Sequence, residues 1–318
     1  YDCPGCAWPD PDDHRSSFEF CENGAKAFIT EATKKRVTPE KMRGISVTEL
    51  SKLTDMELDK MGRITNPLFL KEGQDTYEEI DWGSAFKIIA SRISGSDDPD
   101  ENVFYTSGRA SNEAAFLWGV LARQIGTNNL PDCSNMCHES SGVALSRSIG
   151  IGKGTVKLSC FEEADLILVI GQNPGTNHPR MLTALAACKE NGGSVVSINP
   201  LEETAMKRFK HPQNPLHLIG RGVQIADEHL PVRIGGDAAL LQGFAKTMLS
   251  QGGTDPDFIS KNTLGFEDWK RHIESTDWET IVEQSGISRD RIEKTGTAIA
   301  KSERMIVCWA MGLTQHEN

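Results

Sequence analysis

The run Asp165-Leu166-Ile167-Leu168-Val169-Ile170 restricts the fold more than any other stretch of the sequence. Uninterrupted apolar residues of this length are typical of a parallel strand covered on both faces. The run ends in the polar loop Gly171-Gln172-Asn173-Pro174-Gly175-Thr176-Asn177-His178-Pro179, and a helix is expected from about Arg180 to Glu190. Gly192-Gly193 stops that helix, and Ser194-Val195-Val196-Ser197-Ile198 forms the next strand, ending at Asn199-Pro200. Strand, loop, helix, glycine stop and strand make a right-handed crossover unit, so the fold class is α/β. Ligands of such sheets bind at the carboxyl ends of the strands, where these polar loops collect.

The same rhythm extends on both sides. Asp81 is positioned to cap a helix whose apolar residues Ala85, Ile88, Ile89 and Ile93 share one face. Val103-Phe104-Tyr105-Thr106 reads as a short buried strand, followed by the loop Ser107-Gly108-Arg109 and a helix through Phe116 and Leu121. Arg233-Ile234-Gly235-Gly236-Asp237 opens another helix, with Asp237 as its cap, and Trp269, Trp278 and Ile281 are expected core residues. Met305-Ile306-Val307-Cys308-Trp309-Ala310 is a last strand, and Met311-Gly312-Leu313-Thr314-Gln315-His316 repeats the strand-to-polar-loop pattern. Earlier, Ser46-Val47-Thr48-Glu49 has the form of a capping box that opens a helix running to about Met61.

The loops lack Gly-x-Gly-x-x-Gly, so the usual NAD fingerprint is absent, and Gly150-Ile151-Gly152-Lys153-Gly154-Thr155 has a glycine where a phosphate loop needs Ser or Thr. The strand-end loops offer Asn, Gln, Thr and backbone amides that suit a purine base, ribose and phosphate, and they equally suit plain turns.

Two groups of residues carry candidate chemistry. In Pro131-Asp132-Cys133-Ser134-Asn135-Met136-Cys137-His138-Glu139, a thiol stands beside an imidazole just ahead of Ser140-Ser141-Gly142-Val143, which is suited to open a helix. A thiolate there is a soft metal ligand favoured by the helix dipole, and the histidine can move a proton; alternatively Cys133 and Cys137 form a packing pair. Near the start, Cys3-Pro4-Gly5-Cys6 with Cys21 has the spacing of a zinc or iron-sulfur site, with Asp10, Asp12, Asp13 or His14 available as a further ligand. A redox Cys-x-x-Cys is the rival reading, although no strand precedes it.

Composition excludes several classes. With 34 basic and 45 acidic residues the net charge is −11, which disfavours nucleic acid and anionic membrane surfaces. No run of 18 or more apolar residues is present, so no membrane span is expected. The 8 cysteines are scattered through 318 residues rather than forming a dense disulfide framework, which points to a reducing, cytoplasmic compartment. Tyr1 in place of Met, and Asn318 directly after a strand-like segment, lead to the expectation that both ends are cut.

Together, Cys-x-x-Cys, Gly-Thr-Asn-Asn followed by Cys-His, Gly-x-Asn-Pro after a strand and a late Met-Gly-x-Thr-Gln resemble the catalytic subunit of molybdopterin oxidoreductases of the dimethyl sulfoxide reductase class. The resemblance covers essentially the whole chain and is nearest to the formate dehydrogenase-like branch of the FdhF/YdeP type, with Cys-Pro-Gly-Cys-Ala-Trp and Cys-Glu-Asn-Gly. It implies an N-terminal iron-sulfur-type domain (1–66), the first part of an α/β domain (67–135) and a Rossmann-like, doubly wound domain (136–318) that binds molybdopterin guanine dinucleotide. It further implies a bis(molybdopterin guanine dinucleotide) cofactor with molybdenum or tungsten, formate as substrate, and an electron-transfer partner protein.

By that resemblance Cys137 ligates the metal and His138 is its catalytic neighbour. Gly171, Asn173, Pro174, Thr176 and His178 contact a guanine dinucleotide, as do Asn199, Gly235, Asp237, Gly312 and Gln315. Cys3, Cys6 and Cys21 hold a 4Fe-4S or 3Fe-4S cluster. The sequence departs from the family in three ways. Ala7-Trp8-Pro9-Asp10 stands where a further cluster cysteine is usual, and Lys26 is the nearest substitute for the lysine that bridges cluster and pterin. Related subunits are also much longer, so the expectation is that this portion alone neither binds both pterins nor turns over.

Overall fold

Four parallel strands form the frame of the structure, a computed structural model that describes residues 8–9, 21–106, 110–131, 137–211, 214–220 and 222–316. Two compact units are present, one within Gly24–Met136 and one within Cys137–Asn318, the latter joined by residues 8–9 and 21–23.

In the first unit, Arg36–Val37 pairs in parallel with Arg63–Ile64, and Leu68–Phe69 pairs antiparallel with Glu78–Glu79. Helices α1 (Trp82–Ser94) and α2 (Asn112–Ile125) follow, α1 capped by the Asp81 carboxylate accepting from the Ser84 amide at 3.0 Å. Of the expected inner face of α1, Ala85, Ile88 and Ile93 are half-buried and Ile89 is exposed. Two expectations are corrected here. The capping box at Ser46 forms, but its helix stops at Leu50, because Thr54 builds a second capping box with Glu57 that starts Asp55–Met61 afresh. Val103 to Thr106 enters no sheet: the Phe104 amide donates to the Asn129 carbonyl at 2.9 Å, while Val103 and Tyr105 on either side are exposed. Phe104 alone is buried, edge-on to Trp118 with ring centroids 5.4 Å apart. The loop Ser107 to Arg109 lies outside the described residues.

The second unit begins with α3 (Glu139–Ile149) and then lays down the strands β1 (Leu166–Ile170), β2 (Ser194–Ile198), β3 (Glu228–Leu230) and β4 (Met305–Trp309). Helix α4 (Met181–Glu190) connects β1 to β2, and α5 (Asp237–Ser250), α6 (Trp278–Ser285) and α7 (Arg289–Lys301) lie between β3 and β4. All pairings are parallel in the order β3-β2-β1-β4, with Ile170 opposite both Ile198 and Trp309. The order reverses between β1 and β4, because the chain moves outward from β1 to β3 and then returns to β1's other side. The apolar run thus becomes the strand paired on both edges, as its composition requires.

Alternation along β1 divides the core. Ile167 and Val169 pack with Val195, Ile306 and the α4 residues Leu182 and Leu185. Leu166, Leu168 and Ile170 pack with Val196, Ile198, Leu230 and the helical residues Leu240, Phe244, Ile281 and Ile292. The start of β1 is pinned by the Asp165 carboxylate, which accepts from the Ser302 hydroxyl and from the amides of Glu303 (3.0 Å) and Arg304 (3.1 Å). Of the expected core residues, Ile281 is fully buried and Trp278 packs against that cluster, whereas Trp269 is 39% exposed and stacks on Phe266. Among the described residues no helix is long and apolar enough to cross a membrane.

Because Ile167 is 0% exposed at the centre of one face, truncation to Ala should remove about 2 to 5 kcal/mol of stability. Urea titration should show a lower midpoint at unchanged slope; a loss well under 1 kcal/mol would mean that this face is not packed.

Candidate functional site

The strand order brings the carboxyl-end loops of β1, β2 and β4 to one edge of the sheet, and the polar side chains there tie the loops to one another. Gly171 turns the chain out of β1 at φ +67°, and its amide donates to the Ile198 carbonyl at 2.8 Å. Asn199 is buried; its side-chain amide donates to Asn173 Oδ1 at 2.9 Å, and its own Oδ1 accepts from the Leu201 amide at 3.1 Å. Pro174 is buried at the start of the short helix Pro174–Asn177. The Thr176 amide donates to Glu203 Oε1 at 3.1 Å. A Cβ on Gly175 would lie 2.7 Å from that carboxylate oxygen and 2.4 Å from the Ala205 Cβ, so the close approach of the two loops requires glycine.

The edge between β1 and β4 holds the candidate chemistry. Cys137, two residues ahead of the first residue of α3, points its thiol at the Met311 thioether, Sγ to Sδ 3.0 Å, directly beyond β4. The Trp309 indole donates to the Ser141 hydroxyl at 3.1 Å and so fixes α3 against the end of the same strand. Gln172 Nε2 donates to the Trp309 carbonyl at 3.2 Å, linking the β1 and β4 ends. Cys137 is half-buried rather than sealed in apolar packing. Its other expected packing partner, Cys133, lies outside the described residues.

His138 caps α3 through its backbone, its carbonyl accepting from the Gly142 amide at 2.9 Å. His178 is half-buried and edge-on to Trp8, with ring centroids 6.4 Å apart. Burial, and then the charge of His138, holds His178 below the ordinary imidazole range. On the other side of the edge, His316 Nε2 lies 3.4 Å from Asp237 Oδ2. This contact ties the tail after β4 to the first turn of α5.

Of the expected cofactor residues, Gly171, Asn173, Pro174, Thr176, His178 and Asn199 thus gather on the loops after β1 and β2, and Gly312 and Gln315 follow β4. Gly235, at φ +83°, and Asp237 start α5 after β3. Lys26 sits exposed on the helix Glu22–Glu31. Cys3 and Cys6 lie outside the described residues, and Cys21 is a half-buried free thiol. Among the described residues no group of three or more His, Cys, Asp or Glu side chains is arranged to hold a metal.

Sequence comparison decides the lineage: residues 63–318 match the family model of molybdopterin oxidoreductases. The chain belongs to the molybdopterin oxidoreductases, in their dimethyl sulfoxide reductase class. An uncharacterized oxidoreductase of Mycobacterium tuberculosis H37Rv is 47% identical over 99% of this chain and 41% of its own length. Protein YdeP of Escherichia coli K12 is 45% identical over 100% of this chain and 43% of its own length. A putative formate dehydrogenase of Staphylococcus aureus is 27% identical over 80% of this chain and 24% of its own length. The chain therefore spans less than half the length of these relatives. Its fold matches that of acetylene hydratase from Pelobacter acetylenicus with a TM-score of 0.63 at 19% identity, over 94% of this chain and 36% of that one.

The molybdopterin oxidoreductases carry a molybdopterin cofactor with molybdenum or tungsten, and the edge of the sheet fits such a group. Cys137 supplies a soft donor at the β1/β4 reversal, the position where sheets of this order take their ligands. Two buried side-chain oxygens at the same edge, Gln172 Oε1 and Glu203 Oε2, have no protein partner. Sequence reasoning missed both residues. Their position in the strand-end loops was the available signal.

His178 has a pH consequence. Its imidazole is less basic folded than unfolded, so its contribution to stability is intact above about pH 6.5 and is lost as the pH falls below that value. Replacing His178 with Gln should flatten the fall in urea midpoint as the pH drops below about 6.5. An unaltered pH profile would place the acid sensitivity elsewhere.

Proposed function

We propose that this chain is the cofactor-binding portion of a formate dehydrogenase-like enzyme, which oxidises formate to carbon dioxide with release of one proton and two electrons. The observation that carries the reading is the Cys137 thiol directed at Met311 where the strand order reverses. The bound group would be bis(molybdopterin guanine dinucleotide), whose molybdenum or tungsten supplies two-electron redox chemistry.

In this reading Cys137 is the metal's protein ligand. His138 holds or moves the proton released from substrate. Gly171, Asn173, Pro174, Thr176, His178 and Asn199 shape the dinucleotide cradle, with Gly235, Asp237, Gly312 and Gln315 at its margins. Cys3, Cys6 and Cys21 hold an iron-sulfur cluster, 4Fe-4S or 3Fe-4S, that passes electrons to a partner protein in the cytoplasm, and Lys26 lies on the route from pterin to cluster. The corresponding domain boundaries are 1–66, 67–135 and 136–318. The S. aureus relative's name supports formate as substrate. The higher identity to YdeP and to the uncharacterized mycobacterial oxidoreductase supports a second reading, in which the same cofactor serves a different small molecule.

The full-length protein should contain molybdenum or tungsten with two pterins, and should reduce an artificial dye with formate. Cys137→Ala should abolish that reduction while leaving the circular dichroism spectrum unchanged. Retained turnover would remove Cys137 from the chemistry, and zinc as the sole metal would favour a non-catalytic metal-binding module.

A further inference from the structure

Buried polar atoms in folded proteins nearly always have partners. Among the described residues two side-chain oxygens do not, Gln172 Oε1 and Glu203 Oε2, and both belong to the loops at the carboxyl ends of β1 and β2. Each residue is held by its other atom. Gln172 Nε2 donates to the Trp309 carbonyl. That bond fixes the amide's orientation, since a flipped amide would set its oxygen against a carbonyl oxygen. Glu203 Oε1 accepts from the Thr176 amide. The second oxygen of each is therefore oriented by the bond that its residue's other atom makes.

An acceptor that is buried, oriented and unpartnered destabilises the unliganded fold and strengthens binding of whatever supplies the donor. We infer that Gln172 and Glu203 are ligand-binding residues whose orphaned oxygens accept hydrogens from the base or ribose of a bound nucleoside diphosphate. This rests on the proposed function, in which the strand-end loops cradle a guanine dinucleotide. The division of labour is chemical. The bridging phosphates of a dinucleotide carry only acceptors at neutral pH and suit the backbone amides of the loops, whereas guanine N1–H and N2–H and the ribose hydroxyls need acceptors. The side-chain oxygens of Asn173 and Asn199 already accept, from the Asn199 side-chain amide and the Leu201 amide respectively. Burial pushes the Glu203 carboxyl up, against the lowering effect of the Thr176 and Gly175 amides and the Thr176 hydroxyl.

The test uses cofactor-free full-length protein with guanosine diphosphate as the probe and inorganic pyrophosphate as the control that lacks base and ribose. Wild type should bind guanosine diphosphate and gain thermal stability from it. Gln172→Met should weaken that binding about tenfold and leave pyrophosphate binding unchanged. Glu203→Gln, which keeps an oxygen for the Thr176 amide and puts an NH2 group in place of the orphan, should lose the same selectivity. The inference is overturned if wild type does not bind guanosine diphosphate. It is also overturned if the variants bind it as wild type does, or if they melt lower with affinity intact, which is the mark of a purely structural role. None of these results bears on metal content or formate turnover, which test the proposed function separately.

Discussion

The pairing of β1 with a parallel neighbour on each side is the constraint from which the rest follows. Five residues of β1 are in register with β2 on one edge and with β4 on the other. An apolar strand placed there must be covered on both faces, and the helices that cover it must cross from the end of one strand to the start of the next. Every loop that leaves a strand's carboxyl end therefore opens on the same edge of the sheet. The reversal of strand order between β1 and β4 parts the loops at one point, and Cys137 stands there although it precedes β1 by 29 residues.

What holds this edge is a set of polar clasps rather than apolar packing. Asn199 joins the β1 and β2 loops through Asn173, Glu203 joins them again through Thr176, Gln172 joins β1 to β4, and His316 reaches the start of α5. The apolar core lies below, along the strands. Such an arrangement rigidifies the backbone of the loops while leaving particular oxygens without partners. In the proposed reading the edge is thereby shaped before a cofactor arrives, at a cost in stability that the sheet beneath it offsets.

Much of this frame was legible in the sequence because it rests on strong local signals. The apolar run, the Gly192-Gly193 stop and the Asp81 cap all behave as their chemistry dictates. The failures have equally physical causes. Val103 to Thr106 has the composition of a strand but finds no partner ladder, and strand formation is decided by partners. The helix expected to run from Ser46 was interrupted because Thr54-x-x-Glu57 is as good a start as Ser46-x-x-Glu49, and a second start ends the first helix. The meeting of Cys137 with Met311 joins residues 174 apart in sequence, and the orphaned oxygens of Gln172 and Glu203 are defined by what is absent around them. Neither property is written in any local pattern.

The family resemblance and the local chemistry converge on one atom, the sulfur of Cys137. Its neighbours are soft and partly shielded, its helix is fixed to the end of β4 through Ser141 and Trp309, and the loops around it present the polar groups that a large organic cofactor requires. X-ray absorption at the metal edge of the full-length protein tests this placement most directly, by comparing wild type with Cys137→Ser. The account predicts that the substitution removes one sulfur from the metal's coordination sphere; an identical sulfur count in the two proteins would contradict it.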